Sequence, residues 1–301
     1  MSEIKDLVTV NDYCSGLKLS ALHPLVSVLD VSEGTWPKQE IAEAVRYHFY
    51  AVFLKQGQQC TISYGRQNYD YQDGTLVFVG PGQVVNIGNV VPDFQPSGYA
   101  LLFHPDLLWG THLGNNMDNY TFFSYELYEA LHLSQRERQI VLDIFDKINY
   151  ELSQGIDKHS KQLIVSNIEL FLNYCTRFYD RQFITRDVVN KGILERFEHL
   201  LDRYFISDEP HSLGIPSVAW CAEELHLSPN YFGDLIKKET GVSAQEYIQL
   251  KVIKVAKKLI FDRNKSISEI AYDLGFKYPQ HFTRLFKQKT GVTPNEFRSL
   301  N

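Results

Sequence analysis

Two short stretches, fifty residues apart, carry the side chains in this chain best suited to recognition chemistry. In the second, Gln280, Thr283 and Arg284 fall on one face of an apolar-periodic segment, with Lys287 a turn further on. Amide and guanidinium groups so arranged suit the donor and acceptor edges of base pairs in a major groove, and lysine suits a phosphate. The first stretch places Asn230, Gly233 and Asp234 at matching positions, followed by Lys237. Gly233 offers no side chain, and Asp234 is repelled by phosphates although it can accept from cytosine N4. Behind these residues lie Phe232, Leu235 and Ile236 in one stretch and Phe282, Leu285 and Phe286 in the other. The i, i+3, i+4 spacing predicts helices with a buried face and an outward face. A merely solvated polar face would vary between the stretches in the same way.

The elements that must hold these residues repeat as well. Aligned without a gap, 229–247 (PNYFGDLIKKETGVSAQEY) and 279–297 (PQHFTRLFKQKTGVTPNEF) share 8 identities in 19 positions, a self-similarity that marks one supersecondary unit used twice. Each unit reads as a short helix, a tight turn and a second helix: Ala222-x-x-Leu225-His226-Leu227 turns into Ser228, and Ala271-x-x-Leu274-Gly275-Phe276 turns into Lys277-Tyr278. Ser217 and Ser228-Pro229 read as helix starts, and Ser243/Glu246, Ser266/Glu269 and Thr293/Glu296 fit capping boxes. The signals predict helices at about 218–225, 229–239, 243–262, 267–274 and 279–289. The long one, with Ile248, Val252, Val255, Ala256 and Leu259 as its apolar stripe, is expected to span ~30 Å, close to the ~34 Å of one DNA turn. Lys251, Lys254 and Lys258 lie off that stripe, and phosphate attraction is expected of Lys251 and Lys254 in particular.

Charge divides along the chain. Residues 216–301 hold 13 Lys and Arg against 9 Asp and Glu, whereas 1–215 hold 17 against 27. That pattern fits a basic functional module joined to an acidic partner domain. The four cysteines are scattered without zinc or redox spacing, which fits a reducing, cytoplasmic setting, and no apolar run or leader suggests a membrane. The N-terminal part is β-like in "RYHFYAVFL" (46–54), "GTLVFVG" (74–80) and "SGYALLFH" (97–104), with turns such as "KQGQQ" and "NYDYQDG" between strands. From about 134 the texture turns helical, with two long amphipathic helices that could form a dimer interface or cover the strands, and a third at roughly 187–205.

The segment from about Ser217 to Phe297 resembles the DNA-binding domain of AraC/XylS-type bacterial transcription regulators, through both units, the joining helix and the trailing "GVTPNEFR". Far less specifically, the N-terminal half is similar to the cupin-like sensor barrel often paired with that domain, with its Gly-Pro-Gly turn near Pro81-Gly82. The fold class this implies is α+β with two domains: a cupin-like β-barrel over 1–133, a helical dimerisation or linker segment over 134–183, and an all-α DNA-binding domain over 184–301 whose helix-turn-helix units lie at about 217–239 and 266–289. The resemblance makes Gln280, Thr283, Arg284, Asn230, Gly233 and Asp234 base readers. It implies a cytoplasmic regulator, an activator rather than a repressor, with double-stranded DNA, a small-molecule effector, a second copy of the chain and RNA polymerase as partners.

Neither catalysis nor a cofactor is expected. Val85 stands where a metal-binding cupin commonly has a histidine after the Pro-Gly turn, and no His-x-His occurs. Strand alternation suggests His48 and Tyr50 for the interior face of the barrel, as ligand-binding residues, although a core or rim role for His48 fits as well. The rivals are a DNA-binding protein whose barrel only assembles, a cupin enzyme with a DNA-binding tail, and the DNA-repair methyltransferase that shares this helix-turn-helix. The last needs an activated cysteine, and none here has a basic setting.

Overall fold

The computed structural model describes residues 4–35, 44–56, 61–64, 67–70, 74–86, 97–127, 129–155, 157–185 and 187–300. Cys60 and the turn residues 57–59 and 71–73 lie outside them. The chain divides into two compact units, Met1–Thr185 and Arg186–Asn301.

The first unit begins with β1 (Lys5–Leu7), α1 (Val10–Gly16) and β2 (Val26–Asp30). It continues with β3 (Ala44–Tyr47), β4 (Tyr50–Gln56), the β5 (Thr61–Tyr64) and β6 (Gln67–Asp70) hairpin, β7 (Thr75–Val79), β8 (Val84–Asn86) and β9 (Ser97–Phe103). After α2 (His112–Asn116) and β10 (Leu131–His132) come α3 (Gln135–Ser153) and α4 (Ser160–Thr185). Five strands form an antiparallel sheet in the order β10-β7-β4-β9-β2, and β1-β3-β8 form a second sheet with β1 parallel to β3. Among the described residues the strands form separate sheets and no closed barrel. The strand-rich half expected from the sequence is therefore present, without the barrel closure.

Residues 46–54, read as one strand from their composition, divide between the two sheets. His48 and Phe49 make a bend; Tyr47 N donates to Gln83 O at 3.1 Å and His48 N to Leu7 O at 3.0 Å, holding the first half against β8 and β1. One buried cluster joins Tyr47, Phe49, Ala51, Val79, Ala100 and Leu102. Every residue of β7 is buried, as expected of a strand covered on both faces.

Helices α3 and α4 pack on one another through Phe145 and Phe171, whose rings lie 5.3 Å apart. Tyr179 of α4 stacks on Phe122 at 5.5 Å. Gln182 works like a short piece of strand: its Oε1 accepts from His132 N at 2.7 Å and its Nε2 donates to Ala130 O at 3.1 Å. Arg181 completes the join, donating to Glu137 Oε1 at 2.8 Å and to His132 O at 2.6 Å. The two long helices thus cover the strands of their own unit.

The second unit is helical: α5 (Asp187–Ile206), α6 (Glu209–Leu213), α7 (Val218–Glu224), α8 (Pro229–Thr240), α9 (Ala244–Leu259), α10 (Ile267–Asp273), α11 (Pro279–Thr290) and α12 (Pro294–Leu300). Ser217, Ser228, Ser243 and Ser266 each accept a backbone N–H as N-caps, an interaction worth ~1 kcal/mol. Gly241 and Gly291 end α8 and α11 in left-handed conformation. The joining helix α9 is shorter than its hydrophobic pattern suggested. It stops before the Asp262–Lys265 turn, and its 16 residues rise ~24 Å. Its buried stripe is Ala244, Ile248, Val252, Ile253 and Ala256, with Val255 and Leu259 at the margin. No described helix is long and apolar enough to cross a membrane.

Candidate nucleic-acid interface

The local sequence explains how each reader helix is seated. In the first unit, Phe232, Leu235 and Ile236 are fully buried. Phe197 of α5 meets Phe232 edge-on at 4.9 Å and Tyr247 of α9 at 5.4 Å. Helix α5 therefore supplies part of the core of this unit. In the second, Phe282 and Phe286 are fully buried, Phe276 packs on Phe282 at 5.3 Å and Phe297 on Phe286 at 5.5 Å. Leu285, expected with them, is half-buried.

The turns differ in their left-handed residue. Gly275 has φ +88°, and a Cβ there would lie 2.5 Å from the carbonyl carbon of Gly214. In the first unit His226 adopts the same hand at φ 57°. A glycine is required at 275 for two reasons, the conformation and the close backbone approach.

On α11, Gln280, Arg284 and Lys287 are exposed and follow at i, i+4 and i+7 on one face. Thr283 is half-buried and its hydroxyl donates to Pro279 O of its own helix at 3.2 Å. Helix α11 contains no acidic residue. On α8, Asn230 and Lys237 are exposed, whereas Gly233 and Asp234 are half-buried. The two faces are unlike in both charge and reach.

The expected lysine pair on α9 separates. Lys254 is exposed, but the Lys251 side chain is only 12% exposed and its Nζ donates to Asp202 Oδ1 of α5 at 2.7 Å. Lys251, expected as a phosphate contact, is thus held in an ion pair within the protein. The reason is tertiary: α5 lies against α9, and nothing local to 243–262 reports that. The hydrogen bond from Lys251 holds the Asp202 carboxyl below its ordinary range. Glu246, expected to complete a capping box with Ser243, instead accepts from Lys289 of α11 at 2.6 Å. Arg298 of α12 closes the far end of α9, donating to Ile260 O at 2.7 Å and Lys265 O at 2.9 Å. Both tie α9 and the turn after it to the second helix-turn-helix, and pairings 33 to 43 residues apart leave no local signature.

In the first unit of the chain, His48 is corrected from an inward position. Its ring is 42% exposed and its Nε2 lies 2.9 Å from Asp6 Oδ1; the alternation continues through the bend, but the buried set is Tyr47, Phe49 and Ala51. Tyr50 is half-buried, stacked on Phe103 at 4.9 Å and edge-on to Phe123 at 4.8 Å. A cleft of about 460 Å³ lies elsewhere, between β2 and α3, lined among others by Ser27, Asp30, Tyr99, Phe145 and Asn149. Neither His48 nor Tyr50 borders it. Cys14, Cys175 and Cys221 are buried free thiols, and desolvation pushes Cys221 up to about 12 and the other two upward as well. Thiols so held stay protonated and are poor nucleophiles near neutral pH.

The family model for the helix-turn-helix domain matches residues 221–299. The Tn10 transposon TetD protein of Escherichia coli is 33% identical over 144 residues, covering 48% of this chain and 91% of TetD. The chain belongs to the AraC/XylS type of transcription regulators. Two relatives from Bacillus subtilis (strain 168) are similar as well. The uncharacterized transcriptional regulatory protein YesN is 40% identical over 98 residues, 31% of this chain and 26% of YesN. The uncharacterized HTH-type transcriptional regulator YfiF is 34% identical over 164 residues, 54% of this chain and 48% of YfiF. The chain thus spans half or less of the length of those two AraC/XylS-type relatives.

Proposed function

We propose that this chain is a sequence-specific, duplex-DNA-binding transcription regulator in which α11 supplies most base contacts and α8 few. The observation that carries the inequality is the exposed set Gln280, Arg284 and Lys287 on a helix without acidic residues, against the half-buried Gly233 and Asp234. Arginine presents a fork that fits the O6 and N7 of guanine, and glutamine fits the N6 and N7 of adenine. Lys237, Lys254 and Lys287 add attraction for phosphates.

The same reading makes Met1–Thr185 a sensing and pairing unit of cupin-like ancestry. Its β2–α3 cleft has the size of a small-molecule site. Activation, a homodimer and contact with RNA polymerase belong to this proposal through the family. For an effector to regulate, it must bind the DNA-competent and incompetent arrangements unequally.

Selection of bound sites from random DNA by the full-length protein tests the main reading, and enrichment of no sequence at moderate salt sinks it. On the selected duplex, Arg284→Ala is expected to cost roughly 10- to 100-fold in affinity and to relax preference at one base pair. Asp234→Ala is expected to change affinity by less. An equal or larger loss for Asp234→Ala would reject the unequal reading while leaving DNA binding intact.

A further inference from the structure

The two reader helices open differently. Ser228, before Pro229, is buried, and its Oγ accepts from Tyr231 N at 3.2 Å. Tyr278, before Pro279, has a similarly extended backbone (φ −134°, ψ 121°), but its side chain makes no capping bond. Tyr278 is instead 47% exposed. Lys277 Nζ lies 5.8 Å from the centre of its ring, and the His281 ring meets it at 5.5 Å and 70°. Lys277 and His281 are also exposed, whereas the first unit buries Tyr231 at the position matching His281.

Tyr278, His281 and Arg284 follow at three-residue spacing, so the cluster borders the reading face of α11. A large aromatic side chain standing in solvent between a cation and an imidazole contributes little to the core. Its chemistry suits a phosphodiester strand: an ammonium for one phosphate, a phenol and a ring N–H as donors, and a flat apolar ring for a deoxyribose.

Building on the reading of α11 as a DNA reader, we infer that Lys277, Tyr278 and His281 form a clamp on the sugar-phosphate backbone that seats this helix in its groove. The clamp acts on any sequence. It anchors α11 to the strand whatever the bases beside it, and leaves the choice of base to Gln280 and Arg284. The first unit uses the matching positions, Ser228 and Tyr231, for its own folding, so the clamp belongs to the second unit.

Full-length protein in a fluorescence-anisotropy titration, with the selected duplex and with random duplex at several salt concentrations, tests this. Tyr278→Ser installs the same Ser-Pro start that α8 has, so a purely structural tyrosine predicts unchanged or improved binding. The clamp predicts roughly five- to twentyfold weaker binding to both duplexes, an unchanged preference between them, and a melting temperature equal to or above wild type. Lys277→Ala is expected to lower the salt slope by about one unit on both duplexes. Wild-type binding by folded Tyr278→Ser overturns the clamp. So does a loss confined to the selected duplex, since Tyr278 would then be reading a base. If Arg284→Ala loses preference in the same assay while Tyr278→Ser is silent, only the clamp falls. If wild type itself has no preference, the DNA-reader proposal beneath it falls first.

Discussion

Lys251 and Lys254 are one helical turn apart on α9 and have opposite fates. Lys254 stands in solvent, while Lys251 runs its stem along the helix surface to Asp202. Replacing Lys251 by alanine is expected to cost about 1 kcal/mol of stability through the lost ion pair and stem packing, with no change in the salt dependence of DNA binding. Lys254→Ala should do the reverse, leaving stability alone and reducing the salt slope by about one unit. Chemical denaturation and salt titration of the two variants separate these outcomes. The effect at 251 has a pH signature. The Asp202 carboxyl is held low in the folded state, so its contribution is full above the unfolded value of about 3.9 and is lost as pH falls through the lowered folded value. The stability gap between wild type and Lys251→Ala should therefore narrow in acid. A gap that widens in acid contradicts the pairing.

At the scale of elements, most of the second unit was legible in the sequence. Serine caps, Ser-Pro starts and terminal glycines act through the backbone within four residues, and the helices begin and end close to where those signals stand. Packing between elements was less legible. The turn of the second unit rests against Gly214, next to α6, and Gly275 permits that approach. Gly275→Ala should destabilise the second unit by more than ~2 kcal/mol, since a left-handed alanine alone costs ~1–2 kcal/mol and its Cβ overlaps the neighbouring backbone. His226→Gly, at the matching turn, should stay within ~1 kcal/mol of wild type. Thermal melts of both variants check the contrast, and equal losses would mean the close approach carries no weight. In the strand-rich half, the 46–54 stretch was misread for a related reason. A two-residue bend is cheap in sequence terms, yet it hands the second part to another sheet, and the buried side chains across it are Val45, Tyr47, Phe49 and Ala51 rather than His48 and Tyr50.

At the scale of the molecule, the chain splits between Thr185 and Arg186, and each side has its own buried cluster. The second unit gathers Phe197, Leu201, Phe232, Leu235, Ile248, Val252, Phe282 and Phe286 into its interior. A fragment of residues 186–301 is therefore expected to unfold in a single cooperative transition and to bind random duplex DNA with the salt slope of the full chain. A fragment begun at 216 lacks Phe197 and should be far less stable, by the roughly 3–5 kcal/mol that losing a buried phenylalanine costs. Comparable melting temperatures for the two fragments would refute the structural role given to α5.

The sequence by itself determined the repeat, its helix boundaries and the family, because those are written in spacings of three to four residues and in caps that act locally. It also supplied the ground for proposing the first copy as the weaker reader, since Gly233 has no side chain to offer and Asp234 is repelled by phosphates. Tertiary structure decided which polar groups remain available. Lys251 and Glu246 were drawn into ion pairs by elements far away in the chain, and His48 was left on the outer side of its strand beside Asp6. Tyr278, which gave no local signal, was left standing beside Arg284. Charge and hydrogen-bonding capacity belong to the residue, but whether another part of the same chain consumes them is settled only when distant elements meet.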